Sequence, residues 1–515
     1  VTDAAPTGDA GPPPATGPAV AGHPDEHPAP GPGPALAGHP VPVLTGHPVP
    51  VLTGHPAPGE HTAPDERTAR RRFVVVTFLF WLPAGLASAP MVLLFTERGL
   101  ALTAVAGVFA AHALTAAAME LPTGGLSDVL GRRAVLAAAG ILDLAALALV
   151  ALGTAAWVLT LGMALMGAGR ALSSGPAEAW YVDAVHARSG PDADIRTGLA
   201  YGGSASAAAL AAGMVLGGAL PWLLGLGPDL GARLRENTSG LVLPLSVPAL
   251  LGAAVYIAFV LYVLTALREP PRPRTTPLGV LRGVPSAISG GLRLGGRDAL
   301  IRRLLMTAGA AGTALSALEL LTPGRAAGIT GAAESGAVLF AGLAAAGFVC
   351  SALGNRLAPA VARLAGGSER AVRVSLMASV GGLLVLAATV SSGSAPALVL
   401  TVAGYALVYL GLGAAGPSEN DLLHRRVDAS GRATALSVQS LALQLVGAGG
   451  GLAVGALPAG PLPWLLAAAA LLVGALLWTR RPTPAPAPRP GAPAAPRPGA
   501  PAAPRPGAPT GAGGR

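Results

Sequence analysis

Gly124-Gly-Leu-Ser-Asp128-Val-Leu-Gly131-Arg132-Arg133 is a short turn set between two long apolar runs. Gly124 and Gly131 permit close approach and a sharp change of direction. Asp128 falls near a helix end, and Arg132 and Arg133 place two positive charges side by side. Before the turn, Gly99 to Met119 carries no charge; after it, Ala134 to Trp157 carries only Asp143. Each run has about the 20 residues that cross a bilayer. The turn therefore joins two membrane spans, and its arginines mark one membrane face.

Composition agrees along the whole chain. Of 515 residues, 52% are hydrophobic and 11% charged, where a soluble domain carries roughly a quarter charged. Mean hydropathy is +0.58 despite 72 Gly and 50 Pro, so the apolar residues are gathered into long stretches. This composition argues against a soluble enzyme. The single cysteine, Cys350, makes no intrachain disulfide, and the sequence has no Cys/His cluster with zinc spacing. All 34 basic residues are Arg, which with the Ala, Gly and Pro excess reflects bias in the coding DNA. The net charge of +9 suggests nucleic acid at first. A DNA-binding domain, however, clusters its charge on a polar folded face, whereas these arginines stand between apolar runs.

Counting outward from the turn, charge-poor stretches recur. Phe73 to Thr96, Gly99 to Met119, Ala134 to Trp157 and Val158 to about Ala177 give four spans. Thr197 to Pro228, Asn237 to Leu267, Leu304 to Leu321 and Ser335 to Asn355 give four more. Val374 to Ser418 and Ala433 to Thr479 are each about two membrane thicknesses long, broken by turn residues at 391 to 396 and 458 to 463. They are hairpins, which brings the total to twelve. With both termini cytoplasmic, 25 Arg fall on inward segments and four (Arg98, Arg233, Arg235, Arg325) on outward loops, the asymmetry of the positive-inside rule. The basic composition is a topology signal. The longest inward loop, 268–303, divides six spans from six, the layout of two repeated halves. The expected organisation is a tail at 1–66, a six-helix half at 67–267, the central loop at 268–303, a second half at 304–481 and a tail at 482–515.

The tails read as disordered. Residues 1–66 are rich in Pro, Gly, Ala and His, repeat GHPVPVLT at 38–45 and 46–53, and have neither the charged start nor the apolar stretch of a signal peptide. The histidines there read as part of a solvated low-complexity segment rather than a metal buffer. Residues 482–515 repeat a proline-rich unit that favours extended conformations.

The turn after the second span resembles the signature loop of the major facilitator superfamily, G-x-L-x-D-x-x-G-R-R/K, in position, spacing and membrane side. The resemblance covers the body and not the tails; Val129 departs from it, standing where the family usually has a base. It implies an all-α polytopic membrane protein of twelve helices in two six-helix halves, a transporter and not an enzyme. It also implies that the loop stabilises the outward-facing state, with Arg132 or Arg133 pairing an acid at the inner end of span four, where Glu178 and Asp183 stand. Arg170 matches a family arginine, with the following glycine shifted to Gly175. Gly213-Met-Val-Leu-Gly217-Gly218 resembles an antiporter signature with Met214 in place of proline. Gly354-Asn-Arg356 resembles a degraded second copy of the loop, after span eight, and His424 to Ser437 resembles a loop of many facilitators.

An ionisable group inside a span costs roughly 2.5 to 3.5 kcal/mol on insertion scales, so such groups are functional candidates. They are Asp143, Arg170 and Glu319, with Glu120, Glu178 and Glu334 nearer span ends and His112 as a neutral-or-charged group. Asp143 and Arg170 fall at similar depth on antiparallel spans, the arrangement of a buried ion pair. Asp143 or Glu319 then serves as a proton-carrying carboxylate balanced by Arg170, or the groups only position helices. His112, Gln439 and Gln444 read as structural hydrogen bonders, and Trp81, Trp157, Trp222, Trp464 and Trp478 as interfacial anchors.

No G-x-x-x-x-G-K-[ST] loop is present, so neither nucleotide nor another cofactor is expected, and an ion gradient is the remaining energy source. The expectation is efflux of a hydrophobic or amphipathic small molecule, a drug or metabolite, across the cell membrane by proton antiport. Partners are that substrate, protons and the lipid bilayer, with no nucleic acid. A proton-coupled importer of a small polar solute such as a sugar or organic acid is the alternative, mildly disfavoured by a first half poor in Asn, Gln, Lys and mid-span aromatics. A membrane scaffold displaying its proline-rich tails is the other.

Overall fold

Within hydrocarbon every backbone N–H and C=O must find its partner inside the segment, so a long apolar run becomes a helix. The computed structural model describes residues 65–124, 126–190, 193–269, 298–427 and 429–479. Among them twelve helices are long and apolar enough to cross a membrane, and there is no strand. The first half contains α1 (Glu66–Glu97), α2 (Leu102–Gly124), α3 (Arg132–Leu152), α4 (Ala156–Ser173), α5 (Arg196–Leu224) and α6 (Val247–Ala266). The second contains α7 (Ala299–Thr330), α8 (Ala333–Ala365), α9 (Ser368–Thr389), α10 (Ala395–Arg426), α11 (Ala429–Ala456) and α12 (Pro461–Leu476).

The halves repeat one packing scheme. In the first, α1 packs on α5 and α6, α2 on α4, and α3 on α4 and α6. In the second, α7 packs on α11 and α12, α8 on α10, and α9 on α10 and α12. Adding six to each number turns the first set into the second. The principal contacts between halves, α5 with α8 and α2 with α11, exchange under the same operation, so the molecule has an internal pseudo-twofold axis. Without a hydrophobic drive between helices in lipid, close backbone approach through small residues holds such pairs together. A Cβ at Gly213 of α5 would meet the Leu82 carbonyl oxygen of α1 at 2.5 Å, and one at Gly312 of α7 would meet the Leu443 carbonyl oxygen of α11 at 2.1 Å. Glycine sits at both equivalent crossings.

Several helices outrun their charge-free windows, because charge keeps a residue out of hydrocarbon without keeping it out of a helix. α1 starts at Glu66 and carries Arg67, Arg70, Arg71 and Arg72 on its first turns. α7 extends to Thr330, so Arg325, expected in an outward loop, is helical. α8 extends to Ala365, which places Gly354-Asn-Arg356 inside a helix. That segment is no second signature loop: a Cβ at Gly354 would meet the Leu410 carbonyl oxygen of α10 at 2.2 Å, so helix packing requires the glycine. The break in span four comes at Gly175 (φ 94°), after which Pro176–Ser189 forms a further helix. The outward loop between the fifth and sixth spans, which carries Arg233 and Arg235, contains a short helix, Leu230–Asn237. Residues 1–64, 270–297 and 480–515 lie outside the described residues, and with them the tails and most of the central loop.

Candidate functional site

The signature turn lies at the end of the bundle where α1 begins and α2 ends, here termed the arginine-rich end. Gly124 closes α2, and Asp128 lies on the short helix Leu126–Leu130 with its side chain outside the described set. Gly131 has φ 92°, a left-handed conformation suited to glycine, and immediately precedes α3. Arg132 forms an ion pair with Asp183 of Pro176–Ser189. Glu178, the other acid considered, is exposed and lines a cavity. Arg133 is held by a residue that sequence reasoning passed over. Its backbone N–H donates to Glu269, and its guanidinium donates to the Leu264 carbonyl. The Glu269 carboxylate also lies so near Gly131 that a Cβ there would meet Oε2 at 2.7 Å. It thus sits at the positive end of the α3 dipole. Trp180 Nε1 donates to the Arg268 carbonyl at 3.1 Å. These contacts tie elements of the first half to one another and to the start of the segment that joins the halves.

A cavity of about 360 Å³ lies at the centre of the bundle, lined by residues from every helix of α1 to α8. Four of the seven methionines in the chain, Met91, Met163, Met166 and Met214, line it, together with Phe80, Trp81, Phe109, Tyr256, Phe340 and Phe348. Four of those aromatics belong to the first half, which the sequence suggests is poor in mid-span rings. They were overlooked because every span is apolar all round and periodicity does not show which face is inward. At Phe80, Trp81 and Arg170 a second space of about 400 Å³ adjoins, reaching Glu120, Ser174, Gly175 and Glu178 at the arginine-rich end. A branch of about 190 Å³ between α2, α7 and α11 shares His112 and Glu319 with the central cavity.

Asp143, Arg170 and Glu319 all line the central cavity. The expected Asp143–Arg170 ion pair does not form. Asp143 is 2% exposed, lies beside the Tyr256 hydroxyl, and packs so tightly on Gly169 that a Cβ there would meet Oδ1 at 2.4 Å. Its Oδ1 has no hydrogen-bond partner among the described residues. Similar depth was insufficient because Asp143 is enclosed against Gly169 while the Arg170 guanidinium faces the Trp81 ring. Arg170 instead lies over the Trp81 ring, 5.8 Å from its centroid. Trp81 is accordingly a cavity residue and not an interfacial anchor. Trp464 and Trp478 are buried too, with Trp478 Nε1 donating to Thr307 Oγ1 at 3.0 Å, whereas Trp157 is 71% exposed. Glu319 on α7 opens onto the cavity. Glu120 accepts from Gln444 Nε2 at 3.1 Å, a bond that joins α2 to α11 across the halves. Gln439 Nε2 reaches Glu419 at 3.4 Å.

The glycine segment of α5 divides its faces. Gly213 and Gly217 lie against the α1 backbone at Leu82 and Leu86, Gly218 against Ala337 and Ala341 of α8, and Met214 lines the cavity. The Gly218 contact joins the halves near the end opposite the signature turn. At that same end Thr103 Oγ1 of α2 donates to the Gly455 carbonyl of α11 at 2.8 Å. The halves thus pack closely opposite the arginine-rich end, while cavity space extends to the exposed Ser174, Gly175 and Glu178 at the arginine-rich end.

Twelve helices long and apolar enough to cross a membrane, in two pseudo-symmetric halves around a central cavity, are the architecture of a polytopic membrane protein. The chain belongs to the Major Facilitator Superfamily, whose profile matches residues 73–451; members of that family are transporters and not enzymes. No curated protein sequence matches the chain. Its fold is similar to that of the nucleoside transporter NupG, at 14% identity over 80% of this chain and 98% of that one, with a TM-score of 0.62. It is also similar to a bacterial homolog of the human lysosomal transporter Spinster in an inward-facing and unoccupied conformation, at 16% identity over 80% and 95% of the chains, TM-score 0.61. A third similar structure is the peptide transporter POT in complex with sulfate, at 16% identity over 80% and 93%, TM-score 0.56.

Proposed function

We propose that this protein exports hydrophobic or amphipathic small molecules across the cell membrane by proton antiport, rocking its two halves around the central cavity. The observation that carries this reading is the cavity wall of four methionines and six aromatic rings. Flexible thioethers and ring faces repack around apolar bodies of different shape, whereas a polar solute needs a dense set of hydrogen-bonding groups. Asp143 in the first half and Glu319 in the second are the proposed proton carriers, with Arg170 balancing their charge. One charge moved through 100 mV supplies roughly 2.3 kcal/mol for the cycle.

The positive-inside pattern supports a cytoplasmic position for the arginine-rich end and both termini, and on that reading the cavity space reaching that end marks the inward-open state. Gly124, Asp128, Gly131, Arg132 and Arg133, with Glu178 and Asp183, are proposed to gate that end. The test is uptake of lipophilic dyes and drugs into inverted vesicles with an imposed pH gradient. The expected result is accumulation that dissipates the gradient and is abolished in both Asp143→Asn and Glu319→Gln. Full activity in both variants would remove the proton-coupling assignment, and uptake restricted to polar solutes would remove the substrate class.

A further inference from the structure

We infer that the central cavity takes a zwitterionic amphiphile, a molecule whose anionic group docks on Arg170, whose ammonium docks on Glu319, and whose apolar body lies on the methionine and aromatic wall. The inference rests on the cavity being the substrate site and is independent of export and of proton coupling.

Arg170 comes from α4 and Glu319 from α7, one in each half, and both line the same cavity. Each is exposed to cavity space. Neither side chain makes an ion pair or hydrogen bond among the described residues; the Arg170 guanidinium has only the Trp81 ring. Both border the same space without closing into a pair with each other. Asp143, held behind Gly169, is 2% exposed and offers no comparable surface. A neutral apolar ligand that displaced water here would leave both charges unpaired in a wall of low polarity, which is costly. A simple cation would meet Glu319 but be repelled by Arg170, and a simple anion the reverse. Only a ligand carrying both charges pairs both groups, and in doing so it links the two halves.

The test measures equilibrium binding to the purified full chain by tryptophan fluorescence, with four probes sharing one apolar body. These are phenylalanyl-phenylalanine, its amide, its N-acetyl form, and the N-acetyl amide, which are respectively zwitterion, cation, anion and neutral. The zwitterion is expected to bind at least about tenfold more tightly than each of the others. Arg170→Gln should erase its advantage over the amide alone, and Glu319→Gln its advantage over the N-acetyl form alone. Arg170→Lys, which keeps the charge, should retain the preference. Equal binding of the zwitterion and any analogue, binding of none, or equal loss of all four in either Gln variant would overturn the inference. The binding pattern intact with no pH-driven uptake in vesicles would instead overturn only the proposed export.

Discussion

Arg98 and Arg325 pin equivalent corners of the two halves. Arg98, just beyond α1, donates to the carbonyls of Ala151 at the end of α3 (3.2 Å) and of Gly240 (2.9 Å) and Leu241 ahead of α6. Arg325, near the end of α7, donates to the carbonyls of Leu386 (3.2 Å) and Thr389 (2.6 Å) at the end of α9, and to Thr401 Oγ1 (2.7 Å) at the start of α10. Under the pseudo-twofold α1 becomes α7 and α3 becomes α9. Each arginine therefore satisfies carbonyls that a helix end leaves without partners. Hydrogen bonds to a charged group contribute about 1.5 to 3 kcal/mol. Arg98→Ala and Arg325→Ala are each expected to cost roughly that much. The two losses should add, because the sites share no partner. Thermal unfolding in detergent is the measurement, and a double variant no worse than either single one would show that the corners are not independent.

Glu269 ties the start of the inter-half segment to the signature turn, since its carboxylate accepts from the Arg133 amide. Glu269→Ala is expected to loosen that turn and shift the bundle away from the state in which cavity space reaches the arginine-rich end. A single cysteine introduced by Ser174→Cys, in a Cys350→Ala background, reports the shift through its labelling rate, because Ser174 lines the cavity and is exposed at that end. Slower labelling in the Glu269→Ala protein is the expected outcome. An unchanged rate would mean that Glu269 caps α3 without influencing the equilibrium.

Asp298 gives the protein an acid-sensitive contact outside the membrane. It caps α7 by accepting from the Leu300 and Ile301 amides at 2.8 and 3.3 Å, and pairs with Arg426 Nε at 2.5 Å. Burial alone would raise its pKa, but the Arg426 bond and the two amides outweigh that and hold it below the ordinary 3.8. A carboxylate depressed in the folded state contributes stability that is fully present above its unfolded pKa and is lost as pH falls through the folded value. Stability should therefore be flat from neutrality to about pH 5 and fall below about pH 4. Asp298→Asn, which keeps a capping oxygen but not the charge, should flatten that fall; an equally steep fall in melting temperature would assign it to other groups.

Most of the architecture was legible in the sequence because lipid imposes a one-dimensional rule. The breaks expected at 391 to 396 and 458 to 463 fall at the α9–α10 and α11–α12 turns, since Gly, Pro and Ser end apolar runs wherever the chain must leave hydrocarbon. Boundaries drifted where helices continue into water, as at Arg325 and Arg356. The cavity was only half legible. Asp143, Arg170 and Glu319 stood out as charges within spans, but Trp81 and the four methionines have no mark in an all-apolar helix that tells an inward face from a lipid-facing one.

The sequence by itself determined twelve crossings, their alternation and their division into two sixes, because the spacing of charged residues records which segments tolerate hydrocarbon and which do not. Only the tertiary structure decided that Arg170 lies over Trp81 and not against Asp143, that Glu269 joins the signature turn, and that the halves close at one end. Those outcomes depend on helix rotation and backbone approach, set by glycines such as Gly169 and Gly213 meeting atoms far away in the chain. The order of residues along one helix does not encode them.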